Sequence, residues 1–397
     1  MKSLRDEFHF MLTGTKYYIV ALIVPVIVVL FFGQFFVNNQ INEGKVVVID
    51  LDHSEYSRQL TNHLNESQYL SVEAVINHQV DIEKLFFHDQ YLAVISLPQG
   101  LEANHLRALP SNIGLYIDNS NFAAATNLRT AITEIMMGEN LSVSIPHLQA
   151  LGVSGDPVTG ILSNLTVQQR ILFNPTGTYN MTMVMGFLML YSTIFYCFAI
   201  LPIIPRLRVQ HKIQAELLES HPFGIVSRIL PYAILAAIGL YFAFGLLKIF
   251  GGFRFEGNAL VFLLPTLLYT LGLGVMCMWA SWKAPHPGAA MGMMMFIVIP
   301  GFLTSNLTLP VALLPEWAKI MSNAFPMVWY MRIVRNYGFR GAEFSDMSWE
   351  IGGFLILIGI FLLLLFIRLF TERSHIMKSP KQNTPPASPE MVLGGSH

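Results

Sequence analysis

Long apolar runs dominate the chain and are interrupted by one long stretch of mixed polarity. A helix needs about 20 apolar residues to cross the hydrocarbon core of a bilayer, and six runs meet or nearly meet that length. These runs are Tyr17 to Val37 (residues 17–37), Met181 to Ile204, Ile225 to Phe250, Leu260 to Trp279, Ala289 to Leu309 and Ile351 to Phe370. The pattern predicts an α-helical polytopic membrane protein with six transmembrane helices, the last five within residues 181–370.

The stretch of mixed polarity, residues 43–178, has the pattern of an α/β domain inserted after the first transmembrane helix. Short β-branched runs predict buried strands, and apolar residues at helical spacing predict helices between them. The predicted strands are Lys45 to Leu51, Tyr91 to Leu97 and Asn112 to Ile117, and the predicted helices are Ser54 to Leu64 and one that reaches Met137. Prolines and glycines break the periodicity of residues 138–178, which we interpret as a stalk returning the chain to the bilayer.

The composition agrees with membrane insertion. A hydrophobic fraction of 53%, a charged fraction of 12% and a mean hydropathy of +0.50 are too apolar for a soluble protein of 397 residues. The net charge of -1 argues against a nucleic-acid partner. Both cysteines, Cys197 and Cys277, lie inside apolar runs and are interpreted as buried hydrophobic residues. The first run is too long for a signal peptide, so we expect it to stay as an anchor.

Basic residues mark one side of the membrane. They cluster before the first run and after the second, fourth and sixth runs, at residues 2–16, 206–212, 283 and 368–381. Because cytoplasmic loops carry an excess of Lys and Arg, this distribution predicts cytoplasmic termini and an extracytoplasmic α/β domain. Four basic residues fall on the outer side and depart from the rule: Lys319, Arg332, Arg335 and Arg340.

Candidate chemistry is sparse along the chain. Four residues at the ends of predicted strands could form a metal cluster: Asp50, Asp52, His53 and Asp118. Helix caps and turns favour the same residue types and are the preferred interpretation. The only Gly-Lys pair, Gly44-Lys45, lacks the following Ser or Thr of a phosphate-binding loop. No acidic residue lies centrally in the second to sixth runs, which argues against proton coupling. We therefore expect neither catalytic nor metal-ligating residues.

Three separated groups of residues, in the same order along the chain, resemble the permease subunits of type-2 ABC exporters. The groups are Val46 to Ser54 with Ser57 to Leu60; Arg170 to Pro175 with Tyr179; and Pro300 to Phe302, Leu314 to Trp317, Phe325-Pro326, Arg332 to Arg335 and Gly338 to Gly341. The resemblance covers residues 1 to about 372. It is specific to the branch with a large extracytoplasmic domain between the first two spans.

The resemblance implies a permease that exports a hydrophobic or amphipathic cargo across a bacterial inner membrane. It implies a separate ABC ATPase subunit that binds ATP and Mg, so the chain itself needs no cofactor. It also implies a second permease copy or paralogue and contact with membrane lipid, and it leaves open a periplasmic adaptor protein. A receptor or assembly protein whose outer domain binds a ligand without transport is the alternative. A membrane enzyme is a third and weaker one.

Residues 213–222 are similar to the coupling helix of this family, the element that inserts into the ATPase. The predicted ATPase contacts are Gln214, Glu216, Leu217, Leu218, Glu219 and Pro222. Ile213-Gln214-Ala215 stands where the family usually has Gly-Thr. Residues 1–16 resemble the elbow helix of the family. Leu4, Phe8, Met11 and Leu12 follow helical spacing there, which is typical of a helix lying in the membrane interface.

Small and flexible residues of the second and fifth runs are candidates for a cargo path or a dimer interface. They are Gly186, Met291, Gly292, Met294 and Met295. Methionine adapts to irregular partners, but it also fills ordinary helix contacts or faces lipid, and both interpretations stay open.

Residues 310–340 resemble a re-entrant hairpin in the outer leaflet. The candidate residues are Pro315, Trp317, Pro326, Arg332 and Arg335. Trp317, Trp329 and Tyr330 are interpreted as an interfacial aromatic belt. We expect the two arginines to pair with Glu316, Glu343, Asp346 or lipid headgroups. Residues 371–397 are expected to be a disordered cytoplasmic tail that ends in a tag remnant.

Overall fold

The computed structural model describes residues 2–35, 44–67, 69–86, 91–107, 109–117, 122–150, 182–219, 223–250, 255–307 and 311–378. The chain divides into two compact units, residues 38–177 and the remainder of the chain on both sides of them. Several residues named above lie outside the described ranges: Val37, Asp118, Arg170 to Pro175, Tyr179, Met181, Pro222 and Leu309.

Six helical segments of the larger unit are long and apolar enough to cross a membrane, counted over the described residues. These spans are Tyr17–Phe35, Met183–Val209, Phe223–Phe250, Ala259–Ser281, Pro287–Thr304 and Phe344–Met377, and they are numbered first to sixth below. The predicted number of spans is therefore confirmed. Before the first span lie a helix, Lys2–Phe10, and one wide helical turn, Met11–Thr15.

Short breaks or changes of helix type divide four of the spans, including the sixth, which begins with the tight turn Phe344–Met347. The second span consists of Met183–Ile200 and Ile203–Val209, and the fifth of Pro287–Gly292 and Met294–Thr304. The third span consists of Phe223–Val226, Ser227–Ile229 and Leu230–Phe250. The fourth is one helix, Ala259–Ser281, which begins at Asn258, whose side-chain oxygen accepts a hydrogen bond from the N–H of Leu260. Between the second and third spans lies a short helix, Ile213–Glu219, called the loop helix below.

The ends of several spans differ from the predicted ends. The second span ends at Val209 rather than Ile204. The fifth span stops at Thr304 rather than Leu309, since Asn306 adopts a left-handed conformation with φ 63° that ends a helix. The last helix, Ser348–Lys378, extends past the predicted end at Phe370. Glu372 accepts hydrogen bonds from Arg208 and from the Trp282 indole, which hold that extension. Residues 371–378, predicted as part of a disordered tail, are therefore helical.

Hydroxyl groups and aromatic rings tie the fourth span to its neighbours. Thr193 and Tyr269 share a hydrogen bond of 2.6 Å, and the Tyr196 hydroxyl donates to the Thr270 carbonyl at 2.6 Å. The Tyr269 ring stacks on Tyr330 with centroids 4.7 Å apart. Every one of these hydroxyls is satisfied inside the protein, as burial in a membrane requires. The thiols Cys197 and Cys277 are also buried here.

The segment after the fifth span forms short helices instead of a further span. They are Val311–Leu313, Glu316–Ser322 and Pro326–Ile333, followed by wide turns over Val334–Phe339 and a turn at Phe344–Met347. Pro315 and Pro326 stand at the starts of two of them, where the missing N–H of a proline costs no helical hydrogen bond. The predicted aromatic belt is wrong for two of its three members. Trp329 and Tyr330 are buried in the core, whereas Trp317 is exposed.

The smaller unit contains a four-stranded sheet in the order β2-β1-β3-β4. The strands are β1 (Gly44–Asp50), β2 (Leu70–Ile76), β3 (Ala93–Leu97) and β4 (Gly114–Ile117). β1 pairs in parallel with β2 and β3, while β4 is antiparallel to β3. The helices are Glu55–Asn65, Ile82–Leu85, Leu101–Leu106 and Phe122–Ala150. The sequence pattern did not lead us to predict β2, and the last helix continues past the predicted end at Met137.

The acidic residues after β1 serve as acceptors for turns and helix starts. Asp50 accepts hydrogen bonds from the backbone N–H of His53 at 3.1 Å and from the Ser57 hydroxyl at 2.7 Å. Asp52 accepts from the backbone N–H groups of Gly100 and Leu101, at 2.6 and 3.0 Å. This is the cap and turn chemistry that the sequence favoured over a metal cluster for these two residues.

Candidate functional site

A fully buried carboxylate lies at the same end of the spans as the N-terminal helix. Glu7, on the helix Lys2–Phe10, has no exposed surface. Arg206 donates to both of its oxygens, at 2.5 and 2.7 Å, and Arg228 donates at 2.7 Å. The Tyr232 hydroxyl donates a fourth hydrogen bond at 2.9 Å. A buried carboxylate is tolerated only when it is paired and hydrogen-bonded in this way.

Arg228 extends the arrangement to a second carboxylate. Its other terminal nitrogen donates to Glu216 on the loop helix, and the Ser3 hydroxyl donates to the same carboxylate at 2.8 Å. Two glutamates and two arginines thus form one cluster with balanced charge. We call Glu7, Arg206, Arg228 and Glu216 the charge cluster.

The charge cluster joins four segments that are distant in sequence. Glu7 comes from the N-terminal helix, Arg206 from the end of the second span, Glu216 from the loop helix and Arg228 from the start of the third span. Arg206 also lies 3.7 Å from the centroid of the Phe10 ring, a cation–π contact. A force on the loop helix would therefore reach two spans and the N-terminal helix through charged contacts.

The loop helix has a buried face and an exposed face. Ile213 and Leu217, four residues apart, are buried, while Gln214 and Leu218 are exposed. The face that packs inward includes Glu216 through its bond to Arg228. Of the predicted ATPase contacts, Glu216 and Leu217 are therefore occupied within the chain, whereas Gln214 and Leu218 are exposed. For Glu219 only the backbone is described, and Pro222 lies outside the described residues.

A second polar contact joins three spans at their ends. Arg208 forms an ion pair with Glu372 at 3.1 Å and donates to the Trp282 carbonyl at 2.9 Å. The Trp282 indole N–H donates to Glu372 at 2.7 Å. The ends of the second, fourth and sixth spans are thereby linked.

The candidate path residues do not form one group. An added Cβ at Gly186 would lie 3.9 Å from the Phe302 ring, so this glycine packs against the fifth span of its own chain. Gly292 faces open space, and Met291 and Met295 are exposed. Met294 is partly buried and packs against the core. The fifth span thus presents an apolar surface that the described part of its own chain leaves uncovered.

The arginines of residues 310–340 do not pair with the expected carboxylates. Arg335 donates to the carbonyls of Ser305 and Asn306, at 2.8 and 3.4 Å. Arg332 donates to the Asn323 side-chain oxygen at 2.8 Å and lies over the Trp329 ring. The expected acidic partners are engaged elsewhere: Glu316 binds Lys319, and Glu343 and Asp346 cap the turn Phe344–Met347. Arg335 instead satisfies carbonyls at the end of the fifth span, which lack helical partners.

Sequence reasoning missed Glu7 and Arg228. Glu7 stands in a polar triplet with Arg5 and Asp6, and nothing local distinguishes it from an exposed acid. Arg228 carried a usable signal, because it lies inside the predicted third apolar run. A cation in such a run needs a partner, and only a distant acid could supply it.

Six candidate spans with a buried charge cluster at one end define a polytopic membrane protein whose spans are linked at that end. The chain matches the family model described as ABC-2 family transporter protein over residues 16–368. The chain therefore belongs to this family, and the predicted resemblance to type-2 ABC permeases is confirmed. A search of curated proteins found no match. Members of the family are membrane transport subunits that in general work with a separate ATPase.

Proposed function

We propose that the chain is the permease subunit of an ABC exporter that moves a hydrophobic or amphipathic cargo outward with energy from a separate ATPase. The charge cluster is the observation that best supports this proposal. It fixes the loop helix to the second and third spans and leaves Gln214 and Leu218 exposed for a partner. ATP and Mg belong to that partner. A lipid, a lipid-linked product or a drug fits the apolar spans equally.

In the proposed arrangement both termini and the loop helix lie in the cytoplasm, and residues 43–178 lie outside the bacterial inner membrane. The support is the distribution of Lys and Arg along the chain. Residues 310–340 then form a hairpin in the outer leaflet. The short helices after Pro315 and Pro326 suit a segment that enters the membrane without crossing it.

Transport by this architecture requires a second permease, as an identical copy or a paralogue. The exposed Met291 and Met295 of the fifth span support an interface or a cargo path there. The extracytoplasmic domain is the natural docking place for a periplasmic adaptor. A receptor or assembly protein, which is the competing function, would not require a loop helix held in place by the charge cluster.

Copurification with the ABC ATPase encoded next to this chain tests the proposal. We expect Leu218→Asp to weaken the association and the ATPase activity in nanodiscs, because it places a charge on the exposed face of the loop helix. Leu106→Asp is the matched control, since Leu106 is also exposed and lies in the extracytoplasmic domain of the proposed arrangement. Association that is absent in the native chain, or lost equally in both variants, would favour the receptor.

A further inference from the structure

A groove runs between the N-terminal helix and the third span, beside the charge cluster. Its volume is about 700 Å³. Its lining is apolar apart from one cation: Leu4, Arg5, Phe8, Leu230, Pro231, Ile234 and Leu235. Phe8 is 50% exposed and Ile234 42% exposed, so both present apolar surface in the groove.

Two faces of the N-terminal helix make different contacts, because residues four apart lie on the same face. Ser3 and Glu7, four residues apart, are buried and contact the carboxylate and the arginines of the charge cluster. Leu4 and Phe8, shifted by one position, face the groove together with Arg5. The groove is therefore held open by the same ion pairs that hold the helix, because those pairs fix how far the helix stands from the third span.

The charge of Arg5 indicates which kind of molecule binds in the groove. Over the part of the chain that the structure describes, Arg5 has no ion pair and no hydrogen bond, although it lines an otherwise apolar groove. The groove opens beside a membrane span, so the surrounding medium supplies lipid. A ligand with an acyl chain and an anionic headgroup matches both the lining and the unpaired cation.

We propose that this groove binds an anionic phospholipid, with an acyl chain against Phe8 and Ile234 and the phosphate at Arg5. The proposal rests on membrane insertion, which the family establishes, and not on export or on the ATPase. The bound lipid would brace the N-terminal helix on the face next to the one that contacts the charge cluster.

Photocrosslinking of the full chain in nanodiscs tests the site. The probe is p-benzoylphenylalanine at Phe8, and the nanodiscs contain phosphatidylcholine with a minor fraction of phosphatidylglycerol. We expect phosphatidylglycerol to be labelled about fivefold above its share of the lipid, the preference that one arginine near a headgroup provides. Arg5→Gln should reduce the preference to none, and Arg5→Lys should keep most of it. Ile234→Trp should fill the groove and lower labelling of both lipids.

The same probe at Phe242 is the matched control. Phe242 is an exposed phenylalanine of the same span, 61% exposed, and lies outside the groove lining. It should label lipid without a headgroup preference. An unchanged elution profile checks that each variant is folded, and added inorganic phosphate should not compete with the lipid.

Three results would overturn the proposal. They are equal labelling of the two lipids at position 8, a preference that survives Arg5→Gln, and labelling of a second copy of the chain in place of lipid. None of these results bears on the association with an ATPase, so either proposal can fail without the other.

Discussion

Two regions of the larger unit hold buried or half-buried arginines whose partners differ in kind. In the charge cluster, Arg206 and Arg228 meet the carboxylates of Glu7 and Glu216. After the fifth span, Arg335 donates to backbone carbonyls. Burial and the neighbouring positive charges of Arg340 and Arg332 lower the pKa of Arg335 to about 10, so it stays protonated at neutral pH. The carboxylates of the charge cluster join four segments, whereas Arg335 satisfies carbonyls at the end of the fifth span.

The largest effect should come from removing the acid that two arginines share. We expect Glu7→Gln to lower the free energy of unfolding by about 3–5 kcal/mol, because it leaves Arg206 and Arg228 with excess buried positive charge. Thermal unfolding in detergent measures this. Asp6→Asn is the control, since Asp6 is the exposed neighbour of Glu7 on the same helix. Equal unfolding temperatures for the two variants would mean that the cluster contributes little.

A smaller effect should come from the less buried carboxylate. Glu216→Gln should cost about 2 kcal/mol, because it weakens a charged hydrogen bond while Arg228 keeps Glu7. A double-mutant cycle with Arg228→Gln measures the coupling between the two residues. Additive effects would show that Arg228 does not link the loop helix to the third span.

The carbonyl-bound arginine should be easier to replace. We expect Arg335→Met to cost about 1 kcal/mol, since loss of its hydrogen bonds is partly offset by removal of a buried charge. Thermal unfolding of Arg335→Met beside Arg340→Met, which changes an exposed arginine, isolates the contribution. A cost as large as that of Glu7→Gln would erase the distinction between the two regions.

The smallest effect concerns a carboxylate held by backbone donors in the smaller unit. Burial would raise the pKa of Asp52, but hydrogen bonds from Ser54 and from the N–H groups of residues 100–102 leave it below the ordinary value of 3.8. A lowered pKa stabilises the folded form above that ordinary value, and the gain is lost as the pH falls through the lowered pKa. The protection of the amides of residues 100–102, which is their exchange rate relative to the intrinsic rate at each pH, should therefore fall at acidic pH, and Asp52→Asn should remove that dependence.

Periodicity predicted the six spans and most of the small sheet, because both depend on local pattern. β2 went unassigned although it alternates along its length, with Glu73 exposed in its middle and Leu70 buried at its start. The family could also be predicted from residues alone, because three motifs in a fixed order are far more specific than any one of them.

The pairing of residues that lie far apart in the chain could not be predicted from the sequence pattern. Glu7 and Arg206 are 199 residues apart, and no local rule joins an acid of a polar triplet to an arginine after another span. The same reason explains Arg335, whose carbonyl partners become free only because the fifth span ends early. Charge alone predicted a carboxylate or a lipid headgroup for it, whereas the backbone places two carbonyls within its reach.

The two thiols in the core have a practical consequence. Cys197 and Cys277 are the only cysteines of the chain, and their sulfur atoms lie 3.6 Å apart between the second and fourth spans. Packed in this way, they are shielded from alkylating reagents. Any motion that parts the two spans would open them to a small membrane-permeant maleimide. The unmodified chain thus carries its own reporter of movement, and the rate of labelling can be followed through a working cycle without an engineered site.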